Sequence, residues 1–568
     1  MNRIFSKTYW EYWALFLIII LAIFFRVYHF GDWLHFGMDQ ARDAMLVSEA
    51  VDKGAGQLPL LGPRAGGTYV RLGPVFYYFQ YISAKIFHSV SPPIFAYPDL
   101  IFSILTIPLL YLFIRFYLKK LTALFTVALY AFNFVILQFS RFAWNPNSIP
   151  FWTLLTFYAL LRLTKEKEQK KRYLWLAIMV ASWAVAGQLH FVVLAAIPMA
   201  IFLFLLWTGT WRAFSWKEAL MAVLIFLILF SPVILSDIKM KGDNLKQFVW
   251  AFKYKPQEHS LFQNIKTDVL MHANYYTLIL TTYISPTGKA SIIAGILLSF
   301  FGLGYLSYNL RKEKNEEKKI FLKLIFVWVA VSFLVLIPFA FQIKPRFLFF
   351  EIFIPFLFVG MGIEWLLKGE KHKKLILFAS TALVLAVIVL NIEATLAWFD
   401  RLENGKKFSV WGGRFSFIQY LKATTLSDFE QVAESINGKW QENPAKFYFY
   451  GNLELRNPML YLLEKKNPDI DYEYIGYRTR DFSGRYFSIS MAGGGIDSLP
   501  KHYQAKFDLI ENKTFEKLAV QELKLKEIQP KESEKESLKE PKVESETEKN
   551  TKKGLKKGER VLWEDLFK

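Results

Sequence analysis

Long stretches of this sequence have no polar face. The segments 13–30 and 375–398 stay apolar for about 18 residues or more, long enough to cross a membrane. Neither shows the 3.6-residue or 2-residue alternation that lets a helix or strand turn one side to water. A segment in hydrocarbon must satisfy its own backbone, which makes each crossing a helix. These runs exclude a soluble enzyme and predict an all-α polytopic membrane protein. The composition agrees, with 53% hydrophobic residues among 568 and a mean hydropathy of +0.23.

About eleven segments approach the length needed for a core of roughly 30 Å: 13–30, 97–117, 121–139, 149–163, 173–186, 191–207, 219–235, 290–308, 320–341, 347–367 and 375–398. The first follows a short basic head and no small-residue cleavage site follows it, so it reads as an uncleaved anchor. Alternate short loops are rich in Lys and Arg, including 165–172, 311–319 and 368–374. The positive-inside rule places these loops and the N-terminus in the cytoplasm. The opposite loops, 31–96, 140–148, 187–190, 236–289 and 342–346, then face outward, as does everything after 398. The expected location is the plasma membrane, multi-pass. The aromatic stretch 72–87 breaks this alternation if it spans, and reads instead as an interfacial or re-entrant helix.

A net charge of +20 fits basic loops and a basic tail, and nucleic acid is not an expected partner. The absence of cysteine excludes disulfides, thiolate zinc sites and thiol catalysis. Residues 1–398 read as the transmembrane domain. Residues 399–521 read as a small outward α/β domain, with helices near 426–436 and 459–463 and strands near 447–450 and 472–475. Residues 522–568 form a Lys/Glu-rich tail too polar to fold. No fixed-period repeat and no matched transporter halves are present.

The first outward loop carries Asp39-Gln40-Ala41-Arg42-Asp43. On a helix starting near Asp39, the two carboxylates share a face about 6 Å apart at Cβ. The pair can hold a divalent cation such as Mg or Mn, or one carboxylate can act as a base beside Arg42. The plainer reading has Asp39 cap the helix while Arg42 and Asp43 are solvated charge. Arg64, Gly66-Gly67 and Arg71 lie in a Gly/Pro-rich loop downstream, suited to covering a site or simply to turning the chain. Arg141 and Asn145 in 140–148, and Lys344 and Arg346 in 342–346, are cations and polar groups on the side where cations are scarce. Arg matches phosphate oxygens bidentately, so these positions suit a lipid phosphate; the alternative is snorkelling to headgroups. His190, between two short spans, either touches substrate or is structural.

The first span ending in Arg26, the loop motif Asp39-Gln40-Ala41-Arg42-Asp43 and the later Gly73-Pro74 with Phe76-Tyr77-Tyr78 resemble the membrane glycosyltransferases of the GT-C fold. Protein O-mannosyltransferases and the lipid A aminoarabinose transferase are the nearest groups, over roughly residues 10–400. The resemblance implies that Asp39 is the essential carboxylate, with Gln40 standing where that family has Glu and Asp43 able to substitute for it. Asn145-Pro146 stands where relatives carry a further Asp before Pro, and Pro345-Arg346-Phe347 resembles their Arg-aromatic segment. It implies inverting sugar transfer from a polyprenyl-phosphate donor to a glycan, lipid or protein acceptor. The donor phosphate would be held by some of Arg64, Arg71, Arg141, Lys344 and Arg346, with Gln40, Arg42, Asn145 and His190 also lining the site. Two other classes compete. A lipid-linked-oligosaccharide flippase predicts midplane charges, and a non-catalytic assembly factor predicts that Asp39 is replaceable.

Overall fold

A computed structural model describes residues 9–65, 69–254, 259–282, 288–369, 372–405, 424–476, 479–526 and 560–567. Gly66, Gly67 and residues 527–559 of the charged tail lie outside these described residues. The chain divides into two compact units: Met1–Phe30 with Leu61–Gln419, and Gly31–Leu60 with Tyr420–Lys568.

In chain order the helices are α1 (Trp10–Val27), α2 (Met38–Lys53), α3 (Val75–Phe87), α4 (Pro92–Ile114), α5 (Lys120–Ala131), α6 (Phe134–Phe139) and α7 (Ile149–Lys165). They continue with α8 (Gln169–Leu189), α9 (Phe191–Thr208), α10 (Trp216–Lys239), α11 (Asp243–Tyr254), α12 (Leu261–Thr281), α13 (Lys289–Lys312), α14 (Glu316–Leu336), α15 (Ile354–Leu366) and α16 (Lys373–Asn404). All but α2 belong to the first, helical unit.

Every expected span falls on one of these helices or a broken pair, but fewer are long and apolar enough to cross alone. Among the described residues seven pass, or eight if the bent pair Pro345–Glu351 and Ile354–Leu366 is one span. One of the shortfalls has a visible physical cause. The segment 121–139 is broken at Asn133, whose side chain accepts from Ile136 N–H at 3.2 Å and starts α6. Asn391 of α16 holds that break: its Oδ1 accepts from Phe134 N–H at 2.9 Å, and its Nδ2 donates to Leu280 O at 2.9 Å. Buried amides satisfy the freed backbone, which permits irregular chain at this depth.

The expected loop 236–289 contains α11 and α12 instead. The helix α12 packs against α13 and α15 and buries Asp268 and His272; those polar residues masked it as a helix in the hydropathy pattern. In the segment 72–87, α3 has 13 residues, a rise of about 20 Å that falls short of the hydrocarbon core.

The second, mixed unit combines α2 with α17 (Leu426–Glu442), α18 (Leu453–Lys466), the short α19 (Lys501–Gln504) and five strands. The strands are β1 (Phe447–Gly451), β2 (Tyr472–Tyr474), β3 (Arg485–Met491), β4 (Phe507–Phe515) and β5 (Leu518–Leu525), in the order β2-β1-β3-β5-β4. The β1 strand pairs in parallel with β2 and β3, while β5 is antiparallel to β3 and β4. Connecting β1 to the parallel β2 requires a crossover, which α18 supplies. Tyr448, Tyr486, Phe507 and Leu523 share one buried cluster. Complete burial of a side chain of this size contributes about 1.5–3 kcal/mol.

This division corrects the linear reading at three places. Residues 31–60 belong with the sheet, because α2 buries Ala41, Ala44, Val47 and Ala50 and packs on α18. The fold runs past 521, since β5 reaches Leu525. Beyond the charged tail the chain folds again: Leu562 bridges to Pro59, and Trp563 N–H donates to Leu58 O at 3.1 Å.

Candidate active site

The helix α2 begins at the N-cap Gly37. Gln40 Oε1 accepts from Gly37 N–H at 3.1 Å, and Glu454 Oε2 accepts from Met38 N–H at 2.9 Å. A Cβ on Gly37 would stand 2.8 Å from that Glu454 oxygen, so glycine permits the approach. Gln40 is therefore occupied with starting the helix. Asp39 is not the cap. It lies in the first turn, where exposed amides favour an anion.

Arg42 joins the two carboxylates. Its Nη1 donates to Asp39 Oδ1 at 2.7 Å and its Nε to Asp43 Oδ1 at 2.8 Å. The two acids differ in environment. Asp39 keeps 42% of its side chain exposed and Asp43 only 3%. Burial pushes the Asp43 carboxyl above the usual carboxylate range, and Arg42 offsets this in part. His35 is neutral at physiological pH, because burial lowers its pKa to about 4 against the pull of Asp39. The Arg42 guanidinium bridges the two carboxylates, and among the described residues no third His, Asp or Glu joins them in a group able to hold a metal.

In the helical unit, three segments converge on residues 187–190, where α8 ends and α9 begins. The first is the hairpin around Arg64 and Arg71, which bridge each other's strands. Gly73 N–H donates to Gln188 O at 3.0 Å, and a Cβ on Gly73 would overlap Gln188 Cγ at 2.3 Å. Arg71 is clamped by Asn244, whose Oδ1 accepts from Arg71 N–H at 2.8 Å. It stands at a cavity of about 390 Å³ walled mainly by apolar residues, including Phe191, Phe230 and Phe248. Arg64 is exposed, with its guanidinium 5.8 Å from the Tyr69 ring.

The second segment is 140–148. Asn145 Nδ2 donates to Leu189 O at 2.8 Å, and Trp144 N–H donates to buried Asp99 Oδ2 at 3.0 Å. Arg141 does not face a phosphate site. Its Nη1 donates to Phe25 O at 3.1 Å and Arg26 O at 2.8 Å, and its Nη2 to His29 O at 3.2 Å. These are the orphan carbonyls at the end of α1, so Arg141 is a helix cap, buried to 2% exposure.

The third segment is 344–351. The Arg346 guanidinium lies 5.6 Å from the Trp144 ring, and the Phe347 ring meets the His190 ring at 4.9 Å. Lys344 is exposed. His190 Nδ1 accepts from Val192 N–H at 3.4 Å and caps α9. Burial first, then the charge of Arg346, lowers its pKa to about 3, which keeps the ring neutral. Asn145, His190 and Arg346 are thus neighbours of this junction. Asp39, Arg42 and Asp43 form their own group in the mixed unit.

Reading the sequence missed Asp99, Glu454 and a buried cluster in which the His272 ring lies between Asp268 (3.3 Å) and Glu351 (3.0 Å). Asp99 had a signal: a carboxylate inside an apolar span is costly and calls for a partner. Glu454 had none, because its role depends on a helix more than 400 positions earlier in the chain.

A family model described as dolichyl-phosphate-mannose-protein mannosyltransferase matches residues 71–235. No curated protein matches the sequence. Among solved structures, ArnT from Cupriavidus metallidurans bound to undecaprenyl phosphate is similar at 12% identity and a TM-score of 0.52, over 91% of this chain and 98% of that one. Its apo state is similar at 13% identity and a TM-score of 0.52, over the same shares. The archaeal oligosaccharyltransferase AglB from Archaeoglobus fulgidus, in complex with an inhibitory peptide and a dolichol-phosphate, gives 14% identity and a TM-score of 0.48 over 81% of this chain. The chain spans 64% of the length of that archaeal protein.

Proposed function

We propose, on the premise that this chain has the fold of the GT-C membrane glycosyltransferases, that it transfers a sugar from a polyprenyl-phosphate donor to an acceptor hydroxyl at the outer face of the plasma membrane. The observation that carries this reading is the unequal carboxylate pair on α2. Arg42 fixes both acids, yet Asp39 is accessible and Asp43 is buried. An accessible and oriented carboxylate is what a general base requires.

In this reading Asp39 takes the proton of the acceptor hydroxyl, and the oxygen attacks the anomeric carbon with inversion. The bond from that carbon to the donor phosphate oxygen breaks, and a lipid phosphate monoester leaves. Arg346 stabilises the charge gathering on the leaving group, assisted by Arg71 and by the more exposed Arg64 and Lys344. The apolar cavity beside Arg71 suits an isoprenoid chain, since an apolar pocket with few polar groups orients a largely apolar ligand. Asp43 holds Arg42 in place, and neutral His190 and Asn145 shape the junction that Arg346 faces.

The test is Asp39→Asn, which keeps shape and removes the base. Mass spectrometry of cellular glycoconjugates should show a product that depends on this protein. The variant should remain folded and form that product about a hundredfold more slowly, the scale of lost general-base catalysis. Full activity in Asp39→Asn removes Asp39 from the chemistry. Glycoconjugates unchanged by deletion of the protein overturn the transfer reading itself.

A further inference from the structure

The helical unit has a second cavity, unrelated to the segments around residues 187–190. It has a volume of about 700 Å³ and lies where α13 ends and α15 gives way to the lysine-rich loop before α16. Its lining includes Lys312, Lys314 and Lys368, with Tyr308, Trp365 and Leu366 as apolar walls.

Among the described residues, charge around it is unbalanced, and Glu313 is the one acid lining the cavity. Among the described residues no carboxylate lies within ion-pair distance of Lys312, Lys314 or Lys368, while neighbouring acids are engaged elsewhere. Glu316 pairs with Lys319 at 3.4 Å, Glu317 with Lys165 at 2.8 Å, and buried Glu364 accepts from Thr122 Oγ1 at 2.5 Å. Lys368 rests 5.9 Å from the Tyr117 ring, a contact that leaves its ammonium able to donate. Three ammonium groups against one acid among the described lining residues favour an oxygen anion.

The walls identify the kind of anion. Tyr308 is 57% exposed and Trp365 45% exposed at the ends of their helices, where amphipathic rings sit at headgroup depth. Directly along α13, Leu297, Phe300 and Phe301 are exposed apolar side chains, and the Phe301 and Trp365 rings meet at 6.0 Å. A soluble anion has no use for that surface, whereas acyl chains do. Basic pockets between membrane helices are a recurrent means of holding anionic headgroups.

We infer that this cavity binds the headgroup of an anionic phospholipid, with the phosphate among Lys312, Lys314 and Lys368 and the acyl chains along α13 and α15. The site is at the lysine-rich end of the spans and is independent of the sugar-transfer reading.

The experiment is native mass spectrometry of the full chain released from nanodiscs holding equal phosphatidylglycerol and phosphatidylcholine. The wild type should retain phosphatidylglycerol selectively. The triple variant Lys312→Ala, Lys314→Ala and Lys368→Ala should lose about a hundredfold in retention, at about fivefold per lysine. The corresponding triple Arg variant should keep it, and millimolar inorganic phosphate should not displace the lipid. Equal retention of the two lipids by the wild type, or unchanged phosphatidylglycerol in the Ala variant, overturns the inference. Displacement by inorganic phosphate assigns the cavity to a soluble anion and overturns it as well. If the triple Ala variant does not fold, the single Lys368→Gln variant decides, with about a fivefold loss expected and no loss counting against the site.

Discussion

Two short turns of the helical unit, 140–148 and 344–347, each present an arginine beside aromatic residues, and they use it in opposite ways. Arg141 points at three carbonyl oxygens left over where α1 ends. The rings of Phe30, Trp398 and Phe399 lie 5.1–5.8 Å from its guanidinium. Burial lowers its pKa to about 9, and it stays charged at neutral pH. Arg346 is half-buried, flanked by Trp144 and Phe347. The same residue type in similar company is a structural cap in one turn and a candidate phosphate grip in the other. Arg141 owes its role to the backbone acceptors beside it, a property of the helix that ends there.

The sharpest way to break this contrast is to remove each arginine. Arg141→Ala leaves three carbonyls without their donor, at about 1–3 kcal/mol for each that stays buried and unpaired. We expect a large loss of folded, monodisperse protein in detergent, read by size-exclusion chromatography. Normal yield and melting would end the claim that Arg141 is structural. Arg346→Ala should instead preserve folding and weaken donor binding by about 2–5 kcal/mol, the cost of truncating a buried charge-assisted contact. Unaltered donor affinity would move the phosphate grip elsewhere, with Arg71 the next candidate.

The carboxylates of α2 offer a milder comparison of the same kind. Asp43→Asn keeps a partner for Arg42 Nε but removes the charge, so turnover should fall by about tenfold, less than for Asp39→Asn. Equal losses in the two variants would mean that the acids act as one unit. The smallest effect concerns His190, which burial, and then the charge of Arg346, keeps neutral. Its folded pKa of about 3 lies below the ordinary 6.5, so it carries no cost above pH 6.5. Between that pH and about 3 the unfolded chain takes up a proton that the folded chain refuses, and stability falls by at most about 1.4 kcal/mol per pH unit. His190→Asn keeps an acceptor for Val192 N–H and should flatten the acid limb of the melting profile while leaving neutral pH nearly unchanged. An identical acid limb in both proteins would show that the ring is not buried neutral.

Much of this was legible beforehand for specific reasons. The runs at 13–30 and 375–398 needed no partner to be read as helices, since lipid is their only suitable surrounding. The motif around Asp39 announced a helix with two acids and an arginine on neighbouring positions, and α2 brings those three together. The strands β3 to β5 went unread, because Arg485–Met491 and Leu518–Leu525 alternate weakly and reveal themselves only when paired. The helix α12 was hidden by Asp268 and His272, which pair with each other, while His272 also meets Glu351 from another segment.

The sequence by itself determined that the chain crosses a membrane many times and that its acids and arginines cluster at span ends. Those properties depend on hydropathy and spacing, which are local. The tertiary structure decided which unit α2 joins, which arginine is consumed as a cap, and that Gln40 starts a helix. Each of these turns on a hydrogen-bond partner or a packing face supplied from elsewhere in the fold. A polar side chain spends its donors on whatever acceptor the fold brings within about 3 Å, and pattern along the chain does not encode that meeting.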